Sequence, residues 1–259
     1  MNDYGQIIVD ECHHISAFSF EKAVRESRAK FKVGLSATLA RKDGQHPIVL
    51  MNLGPVRYAV NAKKQAEERH IKHSVILRTT NFKPQNNDPK LPIQDVFREL
   101  WNNDARNAMI IEDVLNAYRN GRQILLLTER TEHIQLFYEK MKDDIPNLFV
   151  LKGGFGKKQL KKIFEDIDSA KESGNIVILA TGRYIGEGFD LPELDTLFLP
   201  FPISWKGTLA QYVGRLHRMA AGKTEVQVYD YADTEVPVLM RMLAKRKKGY
   251  AALGYSIAE

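Results

Sequence analysis

The stretch from Asn175 to Arg218 constrains the fold of this chain more than any other. An apolar run, Asn175 to Thr181, enters the glycine-rich segment Gly182 to Pro192, and a second apolar run follows from Thr196 to Leu199. Such short runs, rich in β-branched residues, fit strands buried on both faces of a parallel sheet. Gly182, Gly186 and Gly188 let the intervening backbone turn tightly and approach a ligand. Loops of this kind lie at the carboxyl ends of strands, where open α/β sheets bind their ligands. The next segment is helical in pattern: Leu209, Tyr212, Val213 and Leu216 fall at i, i+3, i+4 and i+7. Gln211, Arg215 and Arg218 share a different stripe, roughly opposite the apolar one. Two guanidiniums on one rigid face suit bidentate capture of phosphate oxygens. Ordinary arginines on a solvated face are the plainer reading of the same spacing.

Strand and helix patterns alternate from Asp95 onward. Asp104 is placed to cap a helix whose stripe is Ala108, Ile111, Leu115 and Tyr118, with Gly121 ending it. Strand Gln123–Thr128 follows, then a helix capped by Thr131 with Ile134, Phe137, Tyr138 and Met141 inward. Strand Leu148–Leu151 leads to a helix carrying Leu160, Ile163, Phe164 and Ile167. Right-handed crossovers between these strands predict a doubly wound α/β fold. Upstream, the strand from Gln6 ends in the adjacent carboxylates Asp10 and Glu11. A carboxylate there suits magnesium held through water, and its neighbour suits an attacking water. Cys12, His13 and His14 continue the run. Adjacent strand residues point to opposite faces, which speaks against convergence of the set on one zinc. A second strand, Phe31 to Leu35, ends in Ser36-Ala37-Thr38.

Composition adds limits. Ile124–Leu127 and Ile176–Ala180, the longest apolar runs, are far short of the roughly 20 residues that span a bilayer. A lone cysteine, Cys12, leaves no internal disulfide and predicts a cytoplasmic location. The net charge of +6 leans weakly toward an anionic partner. In the last segment Arg241, Lys245, Arg246, Lys247 and Lys248 form a basic helix end that can follow a nucleic-acid backbone, although a solvated helix end is the commoner case.

Taken together these segments resemble superfamily 2 helicases. Asp10, Glu11 and His13 match motif II, Ser36 to Thr38 motif III, and Thr128 to Arg130 fall where motif IV does. Thr181, Gly186, Gly188 and Asp190 match motif V; Gln211, Gly214, Arg215 and Arg218 match motif VI. The resemblance implies a RecA-like doubly wound second lobe preceded by part of a first lobe, with ATP between the lobes. It implies Asp10 as the magnesium ligand, Glu11 as the water-positioning base, and Arg215 and Arg218 as stabilisers of the transferred phosphoryl group. Gly188, Asp190 and Gln211 would contact nucleotide, and Thr128, Arg130, Thr181 and Arg183 nucleic acid. His13, Ser36 and Thr38 would couple the two. The extension Leu39 to Gly44 looks like the DNA-repair and restriction-motor branch, so DNA is the expected partner ahead of RNA.

Two lysine–glycine runs imitate a phosphate loop. Gly222-Lys223-Thr224 has His217 where the first glycine belongs, and it follows a helix and precedes a strand, the reverse of the required order. Gly153 to Lys157 has the wrong spacing. Both are expected to be turns. The phosphate loop is therefore expected upstream, on a first-lobe segment that acts as a partner, with Met1 starting inside that lobe. The expected divisions are 1–60 for the end of the first lobe, 61–94 for a connection, 95–233 for the second lobe, and 234–259 for a basic helix or tail. Two functions compete: part of an ATP-dependent DNA helicase or translocase, silent alone; or a module that binds nucleic acid or protein without catalysis. An RNA motor of the same superfamily is a further alternative.

Overall fold

The computed structural model describes residues 4–12, 18–36, 46–60, 71–85, 91–182, 191–203 and 206–258. The chain divides into two units, Met1–Asn61 and Ala62–Glu259. In the first, strands β1 (Gln6–Val9) and β2 (Phe31–Gly34) pair in parallel, Gln6 opposite Phe31 and Val9 opposite Gly34. Helices α1 (Phe18–Glu26) and α2 (His46–Leu53) accompany them. Val9, Cys12, Val24 and Val49 form the small core. Gly34 is required there, because a Cβ would run into the side chains of Leu53 and Cys12. Residues 56–60 have no regular structure. Val56, Tyr58 and Val60 are exposed, and no described strand lies beside them to pair their backbone groups.

The second unit is a seven-stranded sheet. Its strands are β3 (Lys72–Thr80), β4 (Ile124–Thr128), β5 (Leu148–Leu151), β6 (Val177–Thr181), β7 (Thr196–Leu199), β8 (Glu225–Asp233) and β9 (Ser256–Ala258). They lie in the order β5-β6-β4-β7-β8-β3-β9, and every pairing is parallel. The helices are α3 (Ile93–Trp101), α4 (Asp104–Arg119), α5 (Thr131–Met141), α6 (Lys157–Ser173), α7 (Lys206–Leu216) and α8 (Pro237–Ala252).

Alternation along the strands splits the core in two. Leu125, Leu127, Ile178 and Ala180 face one side with Ile167 of α6, Leu209 and Val213 of α7 and Tyr250 of α8. Ile124, Leu126, Val177 and Leu179 face the other, against Ile110 and Val114 of α4 and Ile134 and Phe137 of α5. Successive strand residues point to opposite faces, so a run apolar at every position demands helices on both. This is the expected doubly wound α/β fold.

Two outer segments differ from the sequence reading. The stretch 61–94, expected as a connection, carries β3, which pairs with β8 from Lys72–Glu225 to Thr80–Asp233. The stretch 234–259, expected as a basic helix or tail, carries the helix α8 and, beyond it, an edge strand that was not expected, β9, which pairs with β3. Buried ion pairs fix both. Arg106 Nε donates to Asp233 Oδ1 at 2.8 Å and Thr80 Oγ1 donates to the same oxygen at 2.6 Å, joining α4, β8 and β3. Arg246 Nε donates to Asp230 Oδ2 at 2.7 Å, and Nη2 to Oδ1 at 2.9 Å, joining α8 to β8. Arg246 thus leaves the basic patch and enters the core. The helix caps also shift: Asn103, not Asp104, accepts from Arg106 N at 2.9 Å, and no side chain caps α5, Thr131 being its first residue.

Candidate functional site

In the first unit the ends of two parallel strands bring together the segments of Asp10 and Ser36. Leu35 N donates to Val9 O and Cys12 N donates to Leu35 O, both at 2.9 Å, so the chain after β1 is stitched to the chain after β2. Asp10 is exposed, and its Oδ1 accepts from Glu11 N at 2.8 Å. Glu11 has φ of 46°, the one non-glycine in the left-handed region among the described residues. A non-glycine residue held there costs energy and turns the main chain sharply, and such positions cluster at functional sites. Beneath it, Cys12 is buried; desolvation first, then the Glu11 and Asp10 charges, raise its thiol above the usual value. Cys12 is a core residue, not a nucleophile. His13 and Thr38 lie outside the described residues.

In the second unit, Thr128 and Thr181 are paired neighbours at the ends of β4 and β6. Thr181 is half-buried at the strand end, whereas Thr128 is buried. The Thr128 hydroxyl lies 3.2 Å from His133 Nδ1, and His133 Nε2 lies 3.0 Å from Asn107 Oδ1. Thr128 therefore does not present its hydroxyl to nucleic acid, contrary to expectation: it organises the start of α5. His133 has its pKa lowered to about 3, by burial first and by the Arg106 charge second, so the ring is neutral. Arg130 is exposed, its guanidinium 4.6 Å from the centroid of the Trp101 ring. Stacking holds its plane while leaving N–H groups at its edge for an anion.

Helix α7 buries Leu209, Val213 and Leu216, the stripe its spacing predicts. Tyr212 reaches Gly182 at the end of β6, where a Cβ would overlap the phenol hydroxyl. Burial first, and the Glu129 charge second, push the Tyr212 hydroxyl up to about 12. One tyrosine thus ties the end of β6 to the arginine-bearing helix. Gly214 on the same helix is exposed, with no atom within 4 Å of a Cβ built on it. Packing in this unit does not explain that glycine.

Arg215 is half-buried on the last turn. Arg218 departs from expectation, because α7 ends at Leu216 and does not carry the stripe to it. His217 N donates to Gly214 O at 3.2 Å, and the His217 ring lies 2.9 Å from the Tyr255 hydroxyl, turning the chain out of the helix. Gln211 lies on α7 by its backbone; its side chain, with Arg183, Gly188 and Asp190, lies outside the described residues. Sequence reading passed over three participants, Tyr212 as a contact to Gly182, Trp101 beneath Arg130, and Lys223. Tyr212 fell in an ordinary apolar stripe, and the other two touch their partners through the fold.

Asp10 fits magnesium held mainly through water: its carboxylate is exposed, with one oxygen engaged by a neighbouring amide. The described residues contain no group of three or more His, Cys, Asp or Glu side chains suited to enclosing a metal. No described helix is long and apolar enough to cross a membrane.

Comparison with known proteins places this geometry. The helicase conserved C-terminal domain matches residues 106–220, and the type III restriction enzyme res subunit matches residues 1–41. A protein of Acanthamoeba polyphaga mimivirus named as an ATP-dependent RNA helicase is 27% identical over 264 residues, covering 98% of this chain and 48% of its own length. A protein of Escherichia phage T5 named as a helicase is 28% identical over 228 residues, covering 88% of this chain and 48% of its own length. The chain spans about half the length of these relatives. Among solved structures, the ATP-dependent type ISP restriction-modification enzyme LlaBIII bound to DNA superposes with a TM-score of 0.67 at 13% identity, covering 99% of this chain and 22% of that one. The second unit is thus a RecA-like sheet, and its residues 106–220 are a helicase conserved C-terminal domain of the superfamily 2 kind.

Proposed function

We propose that the chain is part of an ATP-dependent DNA helicase or translocase and supplies its second motor lobe. The observation that carries this reading is the packing of Tyr212 against Gly182, which sets the arginine-bearing helix against the end of β6, the strand that precedes Arg183. Bound ATP and magnesium would supply the phosphoryl group and its charge-neutralising cation. Asp10 would hold the cation through water, and Glu11, fixed in its left-handed turn, would orient the attacking water. Arg215 and Arg218 stabilise the charge that develops on the phosphoryl oxygens. Gly188, Asp190 and Gln211 line the nucleotide, Arg130, Thr181 and Arg183 hold the nucleic-acid backbone, and Ser36 with His13 and Thr38 couples the two.

DNA is favoured over RNA by the Leu39 to Gly44 extension and by the restriction-enzyme match beside it. The sequence holds no G-x-x-x-x-G-K-[ST] in strand–loop–helix order. The chain therefore depends on a first-lobe partner segment with a phosphate loop, and alone it does not turn over ATP. The same absence supports the second reading, a binding module without catalysis. Phosphate release, measured for the chain alone and joined to a first-lobe segment that carries a phosphate loop, separates them. DNA-stimulated release by the joined protein, lost in Glu11→Gln, is the expected result. No release under any nucleic acid favours the binding module, and stimulation by RNA alone favours an RNA motor.

A further inference from the structure

The segment after Asp190 and the end of α7 meet at one side chain, Lys223. Its ammonium donates to Pro192 O at 2.8 Å, Leu194 O at 2.5 Å and Arg218 O at 3.1 Å. An ammonium has three donors and no acceptor, so this set uses all of them. Every acceptor is main chain, two from the segment following the glycine-rich loop and one from Arg218 itself. The carbonyls at a helix end lack intrahelical partners and carry partial negative charge, which favours a cation there. Lys223 holds this position at a cost: burial first, with Arg122 adding, lowers its pKa to about 8, while Asp195 and Glu193 oppose the shift. Three aligned acceptors offset that desolvation, and a surface turn would need none of them.

We propose that Lys223 is a positioning residue that locks Arg218 to the Leu191–Leu194 segment, so that this segment and the arginine-bearing helix end move as one piece. The proposal rests on the reading of Arg215 and Arg218 as nucleotide-facing groups, but the lock itself is measurable without nucleotide. Lys223→Met keeps length and removes the donors; Lys223→Arg keeps charge and donors. Lys223→Gln replaces the methionine variant if that one does not fold.

Amide hydrogen exchange on the chain as it stands reads the lock. Lys223→Met is expected to speed exchange about tenfold or more across 191–195 and 214–220, while 124–128 and 177–181 keep their rates and Lys223→Arg restores most of the protection. In the ATP-hydrolysing joined protein, Lys223→Met is expected to lower kcat about tenfold or more with little change in KM, since small misplacements of catalytic groups are costly. Unchanged exchange in both segments overturns the lock. Loosened exchange with unchanged kcat, in a protein that Arg215→Ala inactivates, overturns its positioning role. Full activity of both Arg215→Ala and Arg218→Ala instead overturns the nucleotide reading, and with it the positioning role, leaving the exchange result to decide the lock.

Discussion

The Tyr212 phenol occupies the space where a side chain on Gly182 would begin. A side chain at 182 would force the Tyr212 ring out of its place. Gly182→Ala is expected to destabilise the second unit by about 1–3 kcal/mol, the usual range for overpacking. Tyr212→Ala in the same chain should recover much of that loss. Urea unfolding of the two single variants and the double variant measures the coupling, and additive effects would contradict the contact.

Gly214 makes the opposite case. Nothing lies within 4 Å of its missing Cβ, yet glycine in a helix destabilises it by about 0.5–1 kcal/mol relative to alanine. Gly214→Ala is expected to raise the stability of the chain by that amount and to lower ATP turnover in the joined protein, where a ligand or neighbouring segment approaches this face. Thermal unfolding and phosphate release on one variant give both signs. A stabilised and fully active variant would show that the space serves nothing.

His133 makes stability depend on pH. Its folded pKa of about 3 lies below the ordinary 6.5, so the unfolded chain takes up a proton between those values while the folded chain does not. The stabilisation is fully present above pH 6.5 and is lost as pH falls toward 3. Denaturant unfolding at pH 7 and pH 4.5 is expected to show this fall, and a smaller one in His133→Gln, which starts from a lower stability because Thr128 and Asn107 lose their partner.

Much of the second unit was legible because its strands are apolar at every position. Ile124 to Leu127 and Val177 to Ala180 allow no reading but strands covered on both faces. His73–Arg78, within β3, was legible as a strand but not as part of this sheet. Its partner β8 lies about 150 residues away, and the polar 61–70 before it reads as a connection. Arg246 was read as surface charge because it stands in a basic run with Lys245, Lys247 and Lys248; only the fold shows Asp230 facing it. The position of Arg218 was missed for a similar reason, since helical spacing cannot foresee a chain drawn out of the helix at His217.

That distinction among the basic residues is testable. Arg246→Ala leaves the Asp230 carboxylate buried without its cation and is expected to cost about 3–5 kcal/mol. Lys245→Ala and Lys248→Ala, on exposed positions, should leave stability within about 0.5 kcal/mol while weakening DNA binding and flattening its salt dependence. Fluorescence anisotropy against salt concentration, beside thermal unfolding, checks both.

The central claim is that Arg215 and Arg218 act on a phosphoryl group. Its most direct measurement is ATP turnover by the joined protein carrying Arg215→Ala or Arg218→Ala, with DNA binding measured in parallel. Arginines in this role contribute roughly 10³–10⁵ in kcat. Both variants are expected to lose nearly all turnover while binding DNA within about threefold of the parent, since neither guanidinium is assigned to the nucleic acid. Near-normal turnover in both would contradict the account.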